Sequence, residues 1–169
     1  STDYIGNSFV VSSVETQDTY LRLDKEIEKL LNFLDNELGE NEYTLFLTGD
    51  HGVLEIPAFL STSGVNAMAV SESDLKVQVL KKLKDVFNLD FYNIIDSIDN
   101  NQIYLNRENI LSNGISEKDV IIEVVRILKS FDFISEVYSS DYILNSTKLE
   151  GYEELIQNGF HKKRSGDTV

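Results

Sequence analysis

The sequence predicts an α/β fold, part of a parallel-sheet core, with an inserted α+β subdomain of order β-α-β-β-α-β. Two observations carry this. A long stretch of helical periodicity runs through a short polar turn into an apolar, strand-like run. Beyond Pro57, the only proline, short β-rich runs alternate with two amphipathic helices, as in a split βαβ unit. The expected division is residues 1–60 in the core, 61–145 in the insertion and 146–169 returning to the core.

Each element has a local reason. Between residues 15 and 38 the apolar positions Tyr20, Leu23, Ile27, Leu30, Leu31, Leu34 and Leu38 recur at threes and fours, and Gly39 stands where a helix C-cap belongs. The polar turn Glu40-Asn41-Glu42 leads into residues 43–48, whose nearly continuous apolar character predicts a buried parallel strand. Residues 65–70 read as a short strand. Ser71 and Asp74 offer N-cap chemistry for a helix to about residue 87, carried by Leu75, Val79, Leu80, Leu83 and Val86. Residues 91–98 and 102–105 are β-rich and flank Asp99-Asn100-Asn101, a hairpin turn. Ser116 caps a second helix over 117–131, with Val120, Val124, Ile127 and Leu128 as core, and residues 133–138 close with a strand.

Composition narrows the function classes. With 169 residues and 41% hydrophobic content, the chain can bury a core. A formal net charge of -14 argues against binding nucleic acid or an anionic membrane, because phosphates are repelled unless a cation intervenes. The absence of cysteine excludes disulfides, thiolate metal sites and thiol catalysis. There is no apolar run of about 18 residues and no basic flank followed by an apolar stretch at the start, so neither membrane insertion nor a signal peptide is read here. The chain opens without a Met, and residues 165–169 read like the start of another strand, so an excised internal or C-terminal-half segment is expected.

The most informative residues are Phe46-Leu47-Thr48-Gly49-Asp50-His51-Gly52. An apolar run that delivers an Asp-His pair between glycines is how an α/β protein presents metal ligands at the end of a sheet. A solvated Asp-His turn is the plainer alternative.

Together with Tyr20-Leu21-Arg22-Leu23-Asp24, Thr2-Asp3-Tyr4-Ile5-Gly6 and Lys163-Arg164-Ser165-Gly166-Asp167, this motif resembles the alkaline phosphatase superfamily. More narrowly, it resembles the bacterial phosphate-irrepressible alkaline phosphatases, relatives of the nucleotide pyrophosphatase/phosphodiesterases. The resemblance implies a two-zinc phosphomonoesterase, secreted or periplasmic, acting on phosphate esters through a phosphothreonine. Asp50 and His51 would bind the metal that activates the threonine, and Asp3 would bind the second. Two dications about 4 Å apart clamp both apical oxygens of an in-line displacement.

The chain departs from that pattern in three ways. Asn7 stands where a histidine ligand is expected, and an amide oxygen is a poorer zinc ligand than imidazole. The threonine nucleophile and its phosphate-binding neighbours are expected before residue 1, and a further histidine ligand beyond residue 169. The chain alone is therefore expected to be inactive. A phosphodiesterase or nucleotide pyrophosphatase fragment, or a non-catalytic binding module, are the alternatives.

Other motifs have structural readings. Asp96 to Asn106 lacks the central glycine of an EF-hand loop and reads as a solvated hairpin. His161-Lys162-Lys163-Arg164 reads as a solvated connection, Tyr20 as core packing and Arg22 as half of an ion pair. The insertion's position after Gly52 suggests a roof over the cleft.

Overall fold

The computed structural model describes residues 2–88 and 93–169. The first two positions of the strand expected over 91–98 therefore lie outside the described residues. The chain divides into two compact units, Ser1–Ala69 and Val70–Val169.

The first unit contains α1 (Thr2–Ser8), α2 (Val14–Leu38) and α3 (Pro57–Thr62). Ser13 caps α2 by accepting the Thr16 N–H at 3.1 Å, and Gly39, at φ 100°, ends it by donating to the Asp35 carbonyl. The predicted helix is thus present and begins one residue earlier. Among the described residues of this unit only Gly6 and Thr16 are buried, and none of its hydrophobic side chains is.

The expected strand at 43–48 forms no ladder among the described residues. It carries Phe46 88% exposed and Leu47 77% exposed, the reverse of the buried position its composition suggests. A parallel strand exists only through neighbours that take its N–H and C=O groups, and an apolar pattern cannot supply them. Residues 65–70 likewise stay outside any strand. Tyr20, expected in the core, is 60% exposed: among the described residues α1 is the only helix that α2 meets in its unit, and Leu23, Leu30 and Leu38 of its apolar stripe are exposed as well.

The second unit holds the core. It contains α4 (Glu72–Phe87), β1 (Ile95–Asp99), β2 (Gln102–Leu105), α5 (Arg107–Ser112), α6 (Glu117–Leu128), α7 (Ser140–Asn145) and α8 (Tyr152–Gly159). The hairpin is antiparallel, with Asp99 opposite Gln102 and an irregularity between Ile95 and Ser97. Asn100 and Asn101 have φ values of 48° and 61°, the left-handed pair that a two-residue type I′ hairpin turn demands. The stripes of α4 (Val79, Leu83) and α6 (Val120, Val124, Ile127) close over Ile95, Ile103 and Leu105, all buried. Side chains of Ser71 and Ser116 cap the two helices as their sequences predict.

The end of the chain works as an added strand. The Ile103 N–H donates to the Thr168 carbonyl at 3.0 Å, while Tyr138 and Val169 exchange backbone hydrogen bonds of 2.8 and 2.9 Å. Residues 167–169 thus bridge β2 and residues 138–140. Of the expected strand over 133–138, only its last position pairs in this way. Asp167, buried, accepts the Leu105 N–H at 2.8 Å on one carboxylate oxygen and pairs with Arg107 through the other. Gly166 is required here, since a Cβ would lie 2.7 Å from the Ile103 carbonyl oxygen. The β-α-β-β-α-β order is accordingly reduced to one hairpin plus these bridges among the described residues. The short helices α3, α5, α7 and α8 carry no periodic stripe long enough to announce them.

Candidate metal centre

The three expected metal-ligating residues, Asp3, Asp50 and His51, come together within the first unit. Gly6 makes this possible. It is buried against Val53, and an added Cβ would stand 3.1 Å from Val53 Cγ2. That close approach lays α1 beside the loop that follows Gly49.

Asp3 sits in the first turn of α1, and Asn7 lies one turn on. The Asn7 amide donates to Asp3 Oδ1 at 2.9 Å and to the Asp3 carbonyl at 3.0 Å, which holds the carboxylate in place. His51 Nε2 stands 3.8 Å from Asp3 Oδ1 and 3.7 Å from Asp50 Oδ2. The His51 backbone N–H also donates to Asp50 Oδ1 at 3.1 Å.

The other ring nitrogen, Nδ1, lies 3.0 Å from the Gly52 carbonyl. A proton on Nδ1 satisfies that carbonyl and leaves Nε2 facing the two carboxylates. The same carbonyl first, then the Asp50 charge, raise the His51 pKa above 6.5; desolvation opposes them, and the Asp3 charge adds the least. The Asp50 side chain is 91% exposed, so its pairing with His51 adds little stability.

Carboxylate oxygen and imidazole nitrogen are the donors that zinc takes, so Asp50 and His51 fit that ion. Asp3 adds a carboxylate, whereas Asn7 presents its N–H to Asp3. Among the described residues, no group of three or more His, Cys, Asp or Glu side chains is arranged to hold a metal ion by itself.

A groove of about 560 Å³ opens beside His51 and Asn7, walled by Val53, Ile56, Leu60, Ala67 and Met68. Sequence reasoning missed it, and the Pro57 helix start after the Asp-His loop is its only advance signal. Thr48 donates its hydroxyl to the Gly49 carbonyl at 3.2 Å, with no arrangement that would activate it.

The remaining motifs are structural. His161 accepts the Lys163 N–H on Nδ1 at 3.2 Å within a tight turn of the second unit. Asn106 caps α5 and donates to Asp96 Oδ1 at 2.7 Å, so the 96–106 segment is spent on its own hairpin. Arg22 pairs with Asp18 at 2.6 Å, as expected. No helix among the described residues is long and apolar enough to cross a membrane.

Comparison with known proteins agrees with the motif. The sequence profile of the type I phosphodiesterase / nucleotide pyrophosphatase family matches residues 1–167. A protein named calcium-transporting ATPase from Myroides odoratus is 36% identical over 98% of the chain. Alkaline phosphatase PafA from Elizabethkingia meningoseptica is 35% identical over 99% of it, and alkaline phosphatase PhoV from Synechococcus elongatus is 32% identical over 99%. The chain spans about 30% of the length of each of these relatives. The crystal structure of wild-type PafA superposes with a TM-score of 0.84 at 34% identity, over 99% of this chain and 31% of that one. The resemblance carried by the Thr48–Gly52 motif is thereby upheld by fold and sequence together: the chain belongs to the type I phosphodiesterase / nucleotide pyrophosphatase family and resembles the alkaline phosphatases of the same superfamily.

Proposed function

We propose that these residues form part of a metal-dependent phosphatase that hydrolyses phosphate monoesters, secreted or periplasmic in location. The observation that carries this is the convergence of Asp3 and Asp50 on His51, at 3.8 and 3.7 Å, in a chain of this family. In this reading Asp50 and His51 hold one zinc, and Asp3 contributes to a second. When bound, such ions stabilise charge on the phosphoryl oxygens and lower the pKa of the attacking group.

The chain's own residues then have defined tasks. Gly6 and Val53 set the separation of the two ligand-bearing segments. Asn7 orients the Asp3 carboxylate, and the Gly52 carbonyl fixes the His51 tautomer so that Nε2 faces the site. The nucleophile, a threonine that carries the phosphoryl group before water takes it, belongs to residues outside 1–169. Residues 1–60 are assigned to the catalytic core, 61–145 to an insertion that restricts access, and 146–169 to the return.

Two observations favour other readings. The family's own description points to phosphodiester or nucleotide pyrophosphate substrates, whose hydrolysis uses the same ligand types. The hydrogen bond from Asn7 to Asp3 favours a non-catalytic relative that binds a ligand. Turnover of 4-nitrophenyl phosphate against bis(4-nitrophenyl) phosphate by the full-length polypeptide separates them, and a zinc titration of the 169-residue chain with the same esters tests the metal centre and the place of the nucleophile. We expect one weak zinc site, lost in Asp50→Ala, and no turnover of either ester. Sustained zinc-dependent turnover by this chain would overturn the assignment of the nucleophile to other residues, and binding unaffected by Asp50→Ala would overturn the metal centre.

A further inference from the structure

We propose that the groove beside His51 and Asn7 receives the apolar, aryl-bearing part of the phosphate ester, so that this region selects substrates by their alcohol. The proposal rests on the phosphatase reading above and names the substrate class for it. The groove is two-ended. His51 and Asn7 form a polar rim next to Asp3, while Val53, Ile56, Leu60 and Met68 make an apolar wall. Its volume of about 560 Å³ lies within the range of small-molecule sites, roughly 300–1,000 Å³, and accommodates an aromatic ring system with room for substituents.

The wall is built by specific bonds. At the end of α3, Ser63 and Gly64 turn the chain, with Gly64 at φ 78°, and the Val65 N–H donates to the Leu60 carbonyl at 3.0 Å. Ser61 bridges the same fold, its hydroxyl lying 2.9 Å from the Pro57 carbonyl and 3.2 Å from that of Ala67. Ala67 and Met68 are thereby held over Leu60.

Polarity along the groove sets the direction of the occupant. Glu55 also lines the groove, and its carboxylate accepts the Val11 N–H at 3.0 Å. A second anion placed beside it is repelled. With the phosphoryl end at the centre assigned above, beside His51 and Asn7, the apolar end lies against Leu60 and Met68. A glycerol or sugar phosphate would leave its hydroxyls facing an apolar wall without partners, which disfavours it.

The test uses the full-length polypeptide that carries these residues, with 1-naphthyl phosphate and glycerol 2-phosphate as paired substrates. Filling the groove by Ala67→Trp is expected to lower the ratio of kcat/KM for the naphthyl ester over that for the glycerol ester by about tenfold or more. An unchanged ratio overturns the proposal. Within the 169-residue chain Met68 is the only methionine, so in that chain its labelled methyl group reports on the groove without any chemistry. Saturable movement of that signal by 1-naphthol, lost in Ala67→Trp, supports the groove, and no movement overturns it. Should the wild-type protein turn over neither ester while 1-naphthol still moves the Met68 signal, the phosphatase reading fails and the apolar site stands.

Discussion

Gly6 of α1 rests on Val53, with its missing Cβ position 3.1 Å from Val53 Cγ2. This contact is what sets Asp3 beside His51. A larger residue pushes α1 away, and overpacking of this kind costs about 1–3 kcal/mol. In the full-length polypeptide Gly6→Val should therefore weaken the second zinc, to which Asp3 contributes, by about tenfold while leaving the Asp50 and His51 site unchanged. Calorimetric titration of the two chains checks this, and equal affinities would dissociate α1 from the centre.

The Asp167 carboxylate ties three things together: the Leu105 N–H, Arg107 and the strand-like end of the chain. Replacing it with alanine leaves the buried Leu105 N–H without that acceptor and leaves the exposed Arg107 paired with Glu117 alone. Asp167→Ala should destabilise the second unit by about 1–3 kcal/mol, read as a lowered urea midpoint. Gly166→Ala should act in the same direction because its Cβ meets backbone rather than a movable side chain.

Stability is distributed unevenly along the chain. Buried apolar side chains lie in the second unit, whereas the described part of the first unit has none. Limited proteolysis should cut first within residues 1–69 and leave a resistant fragment close to 70–169. Leu83→Ala should cost about 2–5 kcal/mol, but Phe46→Ala should stay within about 0.5 kcal/mol in this chain. Early cleavage inside α4 or α6 would contradict the distribution.

Tyr142 donates its hydroxyl to Glu153 at 3.2 Å, linking α7 to α8, and stacks on Tyr138 with ring centroids 5.6 Å apart. Desolvation first, then the Glu153 charge and hydrogen bond, raise the Tyr142 pKa above its ordinary 10.0. The raised folded-state value means that the neutral phenol is favoured in the fold. Its stabilising contribution is complete below pH 10.0 and is lost as pH rises through the higher folded value. Alkaline unfolding should therefore loosen the α7–α8 pair, and Glu153→Gln should bring the Tyr142 titration back toward normal, as followed by ring-carbon NMR. A Tyr142 titration unchanged by that substitution would remove Glu153 as a cause.

By itself the sequence determined those features that neighbouring residues control. The α2 stripe, the Ser71 and Ser116 caps, the core faces of α4 and α6, and the Asp99–Asn101 turn are all local, set by side-chain spacing and by what a few adjacent residues can hydrogen-bond. A short motif and a resemblance singled out Asp3, Asp50 and His51 as candidates. Tertiary structure decided whatever depends on a distant partner. Residues 43–48 have a strand's composition but pair with no neighbour among those described, so they make no sheet. The bridge from Thr168 to Ile103 and Ser139, the proximity of Asp3 to His51 and the groove beside them arise from chain returns that no local pattern encodes. Helical hydrogen bonds close within one segment, whereas ladders, clusters and cavities exist only when separate segments meet.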